Sequence, residues 1–223
     1  MNKRTPEQAK SFFKRFTKTR GEGRELYKTP LQVIKDIVDS IILNYPELKS
    51  KLWIDPCAGD GRWEEVIKSK GIKCQSYDLQ PLNNNVKQAD FLIKEDYGEN
   101  IFIVGNPPFS LLEKFVEKAL KLTNKCYFLG GSQIITGKLS TKVDLLHRFE
   151  GFEGNQKDLR SKVVFKDTND KDVIIWCCGA IFDRGVNRNF IRNNYKNESN
   201  FRVSIQNYCE QDDRVITIKE SEE

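Results

Sequence analysis

Histidine is almost missing: His147 is the only one in 223 residues. A lone imidazole has no second histidine with which to build a metal site, and His147 is read as an ordinary helix residue. Cysteine is present without a pattern. Cys57, Cys74, Cys126, Cys177, Cys178 and Cys209 contain no C-x-x-C pair. That spacing gives neither a zinc site nor a disulfide scaffold, and free thiols fit a reducing cytoplasm. In a strand, the adjacent Cys177 and Cys178 face opposite sides. No apolar stretch approaches the roughly 20 residues of a membrane span, and the basic N-terminus lacks the apolar core of a secretory signal. There is no internal repeat and no stretch long enough for a large separate recognition domain. What remains is a cytoplasmic chain of a length that suits one well-buried α/β domain.

Charge is the first positive signal. Lys and Arg number 37 against 32 Asp and Glu, a net charge of +5, which is compatible with a nucleic-acid partner. Residues 1–24 concentrate it in an expected basic arm, with Lys3, Arg4, Lys10, Lys14, Arg15, Lys18, Arg20 and Arg24 against Glu7 and Glu22. Phe12, Phe13 and Phe16 are interleaved. Lysines and arginines neutralise phosphates and aromatics stack on bases, but the three phenylalanines also share one helical face that could pack on the domain. Both readings stand. Residues 184–202 carry Arg184, Arg188, Arg192, Lys196 and Arg202 with Phe190, Tyr195 and Phe201. They suit phosphate contacts or a plain polar loop. This segment and the polar stretch 149–161 are the candidate substrate-recognition loops. Residues 219–223 form an acidic tail.

The chain is organised around 101–109, IFIVGNPPF. Four apolar residues closed by Gly105 read as a buried parallel strand. The two prolines cannot donate to a sheet, so the strand ends there. Asn106, Pro107, Pro108 and Phe109 then stand at a strand's carboxyl end, where open α/β sheets bind ligands. A side-chain amide, stiffened carbonyls and an aromatic ring suit a flat base bearing an exocyclic amine. Upstream, Thr29 and Pro30 read as N-cap and first position of a helix with Ile34, Ile37, Val38, Ile41 and Ile42 at helical spacing. Residues 51–54 read as a strand running into Asp55-Pro56-Cys57-Ala58-Gly59-Asp60-Gly61 and a helix from Arg62 to Ser69. The glycines let a ligand approach the backbone, and the helix N-terminus faces it. A dinucleotide site would want a third glycine where Glu64 stands.

Strands are also expected at 73–79, 86–89 and 125–129, with a core-facing helix between the last strand and the central loop. A helix is expected at 142–149. Residues 163–166 and 173–182 read as an antiparallel pair about a turn at 167–171.

Asn-Pro-Pro-Phe after such a strand resembles motif IV of the S-adenosylmethionine (SAM)-dependent amino-methyltransferases, foremost those that methylate N6 of adenine in DNA. The rest of that family's pattern follows in order. Tyr27, Thr29 and Pro30 resemble motif X, and Asp55, Pro56, Ala58, Gly59 and Gly61 resemble motif I. Asp78 stands in the place of motif II, and Asp90 with Phe91 resembles motif III. The resemblance implies an α/β, Rossmann-like methyltransferase fold over 25–223. Its sheet would be mostly parallel and seven-stranded, with an antiparallel terminal hairpin strand and helices on both faces. It implies SAM as cofactor, no metal, and nucleic acid, DNA foremost, as partner. Residues of motif X would help hold the methionine part, those of motif I would bind the cofactor at the glycine turn, Asp78 would hold the ribose hydroxyls, Asp90 the cofactor's adenine amine and Phe91 its ring. Asn106 and the Pro107 carbonyl would aim the target amine at the methyl group, with Phe109 stacking on the flipped base.

The small size would suit a phage-type or solitary enzyme. The Pro56-Cys57 pair follows the wrong strand for a cytosine-C5 nucleophile. RNA adenine and N4-cytosine methylation are the near alternatives, though serine is commoner than asparagine in the cytosine enzymes. A release-factor glutamine methyltransferase would more often have tyrosine in place of Phe109. An inactive nucleic-acid-binding protein on the same fold is the non-enzyme alternative.

Overall fold

The computed structural model describes residues 26–131, 134, 138–149, 161–167, 169–186 and 202–206. The basic arm at 1–24, the acidic tail, and most of 149–161 and 184–202 lie outside the described residues. The strands are β1 (Leu52–Asp55), β2 (Cys74–Asp78), β3 (Lys87–Gln88), β4 (Ile101–Gly105), β5 (Lys125–Gly130), β6 (Val143–Phe149), β7 (Ser161–Lys166), β8 (Asp172–Asp183) and β9 (Arg202–Gln206). The helices are α1 (Leu31–Asn44), α2 (Arg62–Ser69) and α3 (Leu112–Leu122). The strands join in one sheet in the order β3-β2-β1-β4-β5-β8-β6-β9, with β7 on β8. Neighbours from β3 to β5 are parallel, and β8 runs antiparallel to β5, β6 and β7. The run from β3 to β6 is the expected mostly parallel sheet with one antiparallel strand. β7 and β9 extend it to nine strands.

Sequence pattern explains the layering. Strand β4 is buried along its whole length, because helices cover both faces of a parallel sheet. Phe102 and Val104 face one way and meet Val33, Ile34, Ile37, Val38 and Ile41 of α1, with Trp63, Val66 and Ile67 of α2. Ile101 and Ile103 face the other way and meet Leu112, Phe115, Val116 and Ala119 of α3. Each large apolar side chain buried in this way contributes about 1.5–3 kcal/mol. Cys177 and Cys178 fall in opposite core clusters, as period-two alternation requires. Among the described residues no helix is long and apolar enough to cross a membrane.

Two local expectations are corrected. Residues 142–149 are not a helix: a short 3-10 turn, Leu139–Lys142, gives way to β6. The strand is irregular between Val143 and Leu145. Val143 and Leu146 therefore join one core cluster and Leu145 the other. A bulge removes the alternation by which a strand is recognised, and the remaining spacing imitates a helix. His147 is consequently a strand residue, 2% exposed. Its Nε2 lies 2.7 Å from Ser40 Oγ and its Nδ1 3.2 Å from Tyr127 Oη. Burial pulls its pKa down to about 3, so a neutral ring joins α1, β5 and β6. The second correction concerns Thr29. Helix α1 begins one residue later than expected, with Pro30 as N-cap and no side-chain cap bond.

Strand β8 is shared. Its second half pairs with β5 as far as Gly130 opposite Cys178. Its first half, from Asp172 to Cys177, pairs with β7 and so projects as a two-stranded ribbon past the carboxyl end of β5. Val163 and Phe165 of the ribbon join the α1 and α2 core, while Val164 and Ile174, directly opposite each other, are exposed.

Candidate active site

A cleft of about 450 Å³, counted to its open mouth, lies at the carboxyl ends of β1 and β4. Its floor is the turn between β1 and α2. Gly59 and Gly61 take φ of +56° and +86° there, a region open to glycine at little cost. The turn is fastened to the end of β2. Ala58 N–H donates to the Tyr77 carbonyl at 3.0 Å, and Gly59 N–H donates to Asp78 Oδ2 at 2.9 Å. The other Asp78 oxygen accepts from Gln80 N–H at 2.7 Å. Asp78 is fully buried, so here it acts as the clamp that shapes the glycine turn.

Asp55, at the end of β1, is also fully buried. Its Oδ1 accepts from Cys57 N–H at 3.2 Å, and its Oδ2 has no hydrogen-bond partner. Burial pushes the Asp55 carboxyl well above the usual carboxylate range, with Asp78 and Glu64 adding to the rise and the Cys57 N–H opposing it. A Cβ on Gly105 would come within 2.7 Å of Asp55 Oδ1, which is why a glycine stands immediately before Asn106.

The unfolded chain ionises an aspartate near pH 3.9, roughly its reference value. The folded chain keeps Asp55 protonated to higher pH. Its contribution to stability is therefore complete below about pH 4 and is lost as pH rises toward the raised pKa. Asp55→Asn is expected to melt above the parent protein at about pH 8 and close to it at about pH 4. Equal thermal midpoints at the higher pH would contradict a neutral buried carboxyl.

The opposite wall is made by residues 26–29 and Asn106. The Asn106 Nδ2 donates to the Tyr27 carbonyl at 3.3 Å and to Thr29 Oγ1 at 3.2 Å. Its Oδ1 is buried and has no hydrogen-bond partner. Thr29 is 2% exposed and spends its hydroxyl on Asn106 rather than on the end of α1. Arg62 spans the floor and the wall: Nη1 donates to the Thr29 carbonyl at 2.8 Å, and Nη2 pairs with Asp60 Oδ2 at 2.6 Å. Pro107 and Pro108 are buried. The Pro108 carbonyl accepts from Leu111 N–H at 2.8 Å in the 3-10 turn Phe109–Leu111. The Phe109 ring packs partly buried against the α1 and α2 core.

Of the residues singled out in the sequence, the cleft brings together Tyr27, Thr29, Ala58, Gly59, Asn106 and Pro108. Pro30, Asp55, Pro56, Gly61, Asp78, Pro107 and Phe109 adjoin or support that wall without lining it. Asp90 and Phe91 stand apart, after β3. Asp90 Oδ1 accepts from Leu92 N–H at 2.9 Å. Phe91 is 2% exposed and packs between Phe115, 5.0 Å away, and Tyr97, 5.7 Å away. Arg62, Trp63 and Lys28 line the cleft and were not anticipated. Arg62 follows Gly61 at the first turn of α2, and that position was the available signal for it.

Neither a protein-family profile nor a curated protein sequence matches the chain. Its shape does match solved structures. A protein assigned as an RNA methyltransferase from Pyrococcus horikoshii superposes with a TM-score of 0.54 at 15% identity, over 72% of this chain and 87% of that one. A protein assigned as a class I SAM-dependent methyltransferase from Listeria monocytogenes gives 0.49 at 10% identity, over 84% and 69%. A modification subunit assigned to a type I restriction enzyme of Vibrio vulnificus gives 0.47 at 11% identity, over 100% and 57%. At such identities the likeness is one of fold. The chain is built on the fold of the SAM-dependent methyltransferases.

Proposed function

We propose that the protein is a SAM-dependent methyltransferase that methylates the exocyclic N6 of adenine in DNA. The orientation of Asn106 carries this reading. Its NH2 end is occupied by two acceptors, and its oxygen is buried with no partner. A buried acceptor left unmade costs about 1–3 kcal/mol, and a substrate N–H is the natural group to satisfy it. The glycine turn, with Gly59 and Gly61 at positive φ, lets a cofactor approach the backbone. When bound, SAM supplies a methyl group on a sulfonium, which needs only an aimed lone pair.

The residues of this chain supply the aim. The lone pair of an adenine amine is delocalised into the ring, which makes it a poor nucleophile. A hydrogen bond from that amine to Asn106 Oδ1 localises the pair and fixes its direction. The buried prolines hold the loop rigid, so this bond is preorganised. A base inside a duplex is out of reach, so the target is flipped out of the stack, and the Phe109 ring is the stacking surface nearest Asn106 in sequence.

Transfer of labelled methyl from SAM to unmethylated duplex DNA, to total RNA and to protein, offered separately and followed by nucleoside analysis, tests the proposal. N6-methyladenine in DNA is the expected product. Label in RNA alone would move the substrate while keeping the chemistry. No transfer to any of the three would overturn the enzyme.

A further inference from the structure

Residues 27–29 present alternate sides to two different parts of the fold. The Tyr27 carbonyl and the Thr29 hydroxyl face Asn106 and accept from its Nδ2. Lys28, between them, faces the ribbon. Its N–H donates to the Lys166 carbonyl at 2.7 Å, and its carbonyl accepts from Lys166 N–H at 3.3 Å. This is a single antiparallel bridge on the edge of β7. The Lys28 ammonium reaches on to Asp170 Oδ1 in the β7–β8 turn, 2.5 Å away. The Tyr27 ring meets Phe165 of β7 edge-on at 6.3 Å.

A carbonyl oxygen can only accept. The end of the Asn106 amide that faces Tyr27 is therefore the NH2, and the oxygen faces away from it. Nothing within Asn-Pro-Pro-Phe decides which end of the amide is left unpaired. The position of residues 27–29 decides it, and β7 sets that position.

We propose that the β7–β8 hairpin is the positioning element of Asn106: by docking Lys28 on its edge it fixes Tyr27 and Thr29, and these engage the NH2 end of the amide and leave its oxygen as the unpaired acceptor for the substrate. The proposal rests on reading Asn106 as the acceptor for the substrate amine, and it adds a cause for the site's selectivity. An amide oxygen left unpaired for the substrate favours bases with an exocyclic amine over bases with a carbonyl at the same place. With the hairpin undocked, the amide turns freely and half of its orientations present a donor to a donor. Discrimination at the base is thus set by a hairpin remote from it in sequence.

Lys166→Pro breaks the bridge, and with it one exposed ion pair to Asp172. The Lys166 N–H points to Lys28, so proline removes that bond and crowds the bridge while leaving the β7–β8 ladder intact, as an edge strand allows. The side-chain NH2 resonances of Asn106 are the primary readout, in protein labelled with nitrogen-15 at asparagine and assigned by their loss in Asn106→Ala. In the parent protein they are expected to be shifted and slow to exchange. In Lys166→Pro and Thr29→Val they are expected to move toward solvent-exposed positions, while Thr29→Ser retains them. Methyl-transfer kcat at saturating SAM is expected to fall at least about tenfold in the first two variants.

Should Lys166→Pro fail to melt cooperatively, Asp170→Gly replaces it. That variant suits the φ of +59° at the position, removes the turn's hold on Lys28 and is expected to shift the same resonances in the same direction. A folded Lys166→Pro, or failing it Asp170→Gly, with parental Asn106 resonances would overturn the proposal. A parent protein that transfers no methyl would instead overturn the reading of Asn106, and the resonances would still decide what positions it.

Discussion

Asn106→Ala is expected to lower the methyl-transfer rate by about 10²–10³-fold, the usual loss when one preorganised hydrogen bond to a reacting group is removed. SAM affinity is expected to stay within about twofold, because the change removes an interaction made with the target rather than with the cofactor. The turn through Gly59, which suits the cofactor, is held by Tyr77 and Asp78 and not by Asn106. Asn106→Asp keeps an acceptor but loses the NH2 that anchors it to Tyr27 and Thr29, and a carboxylate facing the Tyr27 carbonyl is repelled. It is expected to be impaired almost as severely as alanine. Single-turnover transfer at saturating DNA, paired with calorimetric SAM titration, separates the two quantities. Parental turnover in the alanine variant would remove the amide from the mechanism.

Gly179→Ala is expected to be the most damaging methyl group that can be added to the described core. Gly179 pairs with Leu129 on one side and His147 on the other. A Cβ there would lie 1.7 Å from Tyr127 Oη and 2.5 Å from its Cζ. The phenol has nowhere to go. Tyr127 is fully buried, its hydroxyl is 3.2 Å from His147 Nδ1, and the opposite nitrogen of that ring is 2.7 Å from Ser40.

Overpacking costs about 1–3 kcal/mol, and a buried imidazole nitrogen left without its partner adds about 1–3 kcal/mol. For a chain of this size each kcal/mol lowers Tm by about 2–4 °C, so a fall on the order of 10 °C is expected by thermal denaturation. Tyr127→Phe in the same chain removes the nearest clashing atom and is expected to recover part of it. An unchanged midpoint would mean that Tyr127 does not fill the space over Gly179.

The parallel half of the fold was legible because its signals are local. The run at 101–104 closed by Gly105, the turn from Asp55 to Gly61 and the helix Arg62–Ser69 each state their structure within a few residues. In the antiparallel half the β7–β8 pair was legible too, from its turn at 167–171, whereas β6 and β9 are written in long-range pairing. Val143, Leu145 and Leu146 look helical until β8 and β9 are supplied as neighbours. The five residues of β9, paired to β6 through Leu145 opposite Arg202, do alternate polar and apolar, but the run is too short to announce a strand without its neighbour.

The site shows the same division. Asn106 and the glycine turn announce themselves by residue type. The partner of Thr29 does not, because a threonine before Pro30 is an equally good helix cap in sequence and only the position of β4 sends its hydroxyl elsewhere. Phe91 is the converse case: its place after Asp90 suggests a ring for a ligand, and α3 supplies Phe115 to cover it.

The ion pair between Lys28 and Asp170 joins residues 142 positions apart in the chain, and that separation has a consequence for biosynthesis. A chain made from its N-terminus presents residues 27–29 and strands β1 to β6 before β7 and its turn exist, and such segments begin to fold as they emerge. Until the hairpin is made, the proposed hold on the Asn106 amide is missing. On the proposed role of the hairpin, activity arrives in a single late step of synthesis, and truncated products that retain every signature residue stay inert toward nucleic acid.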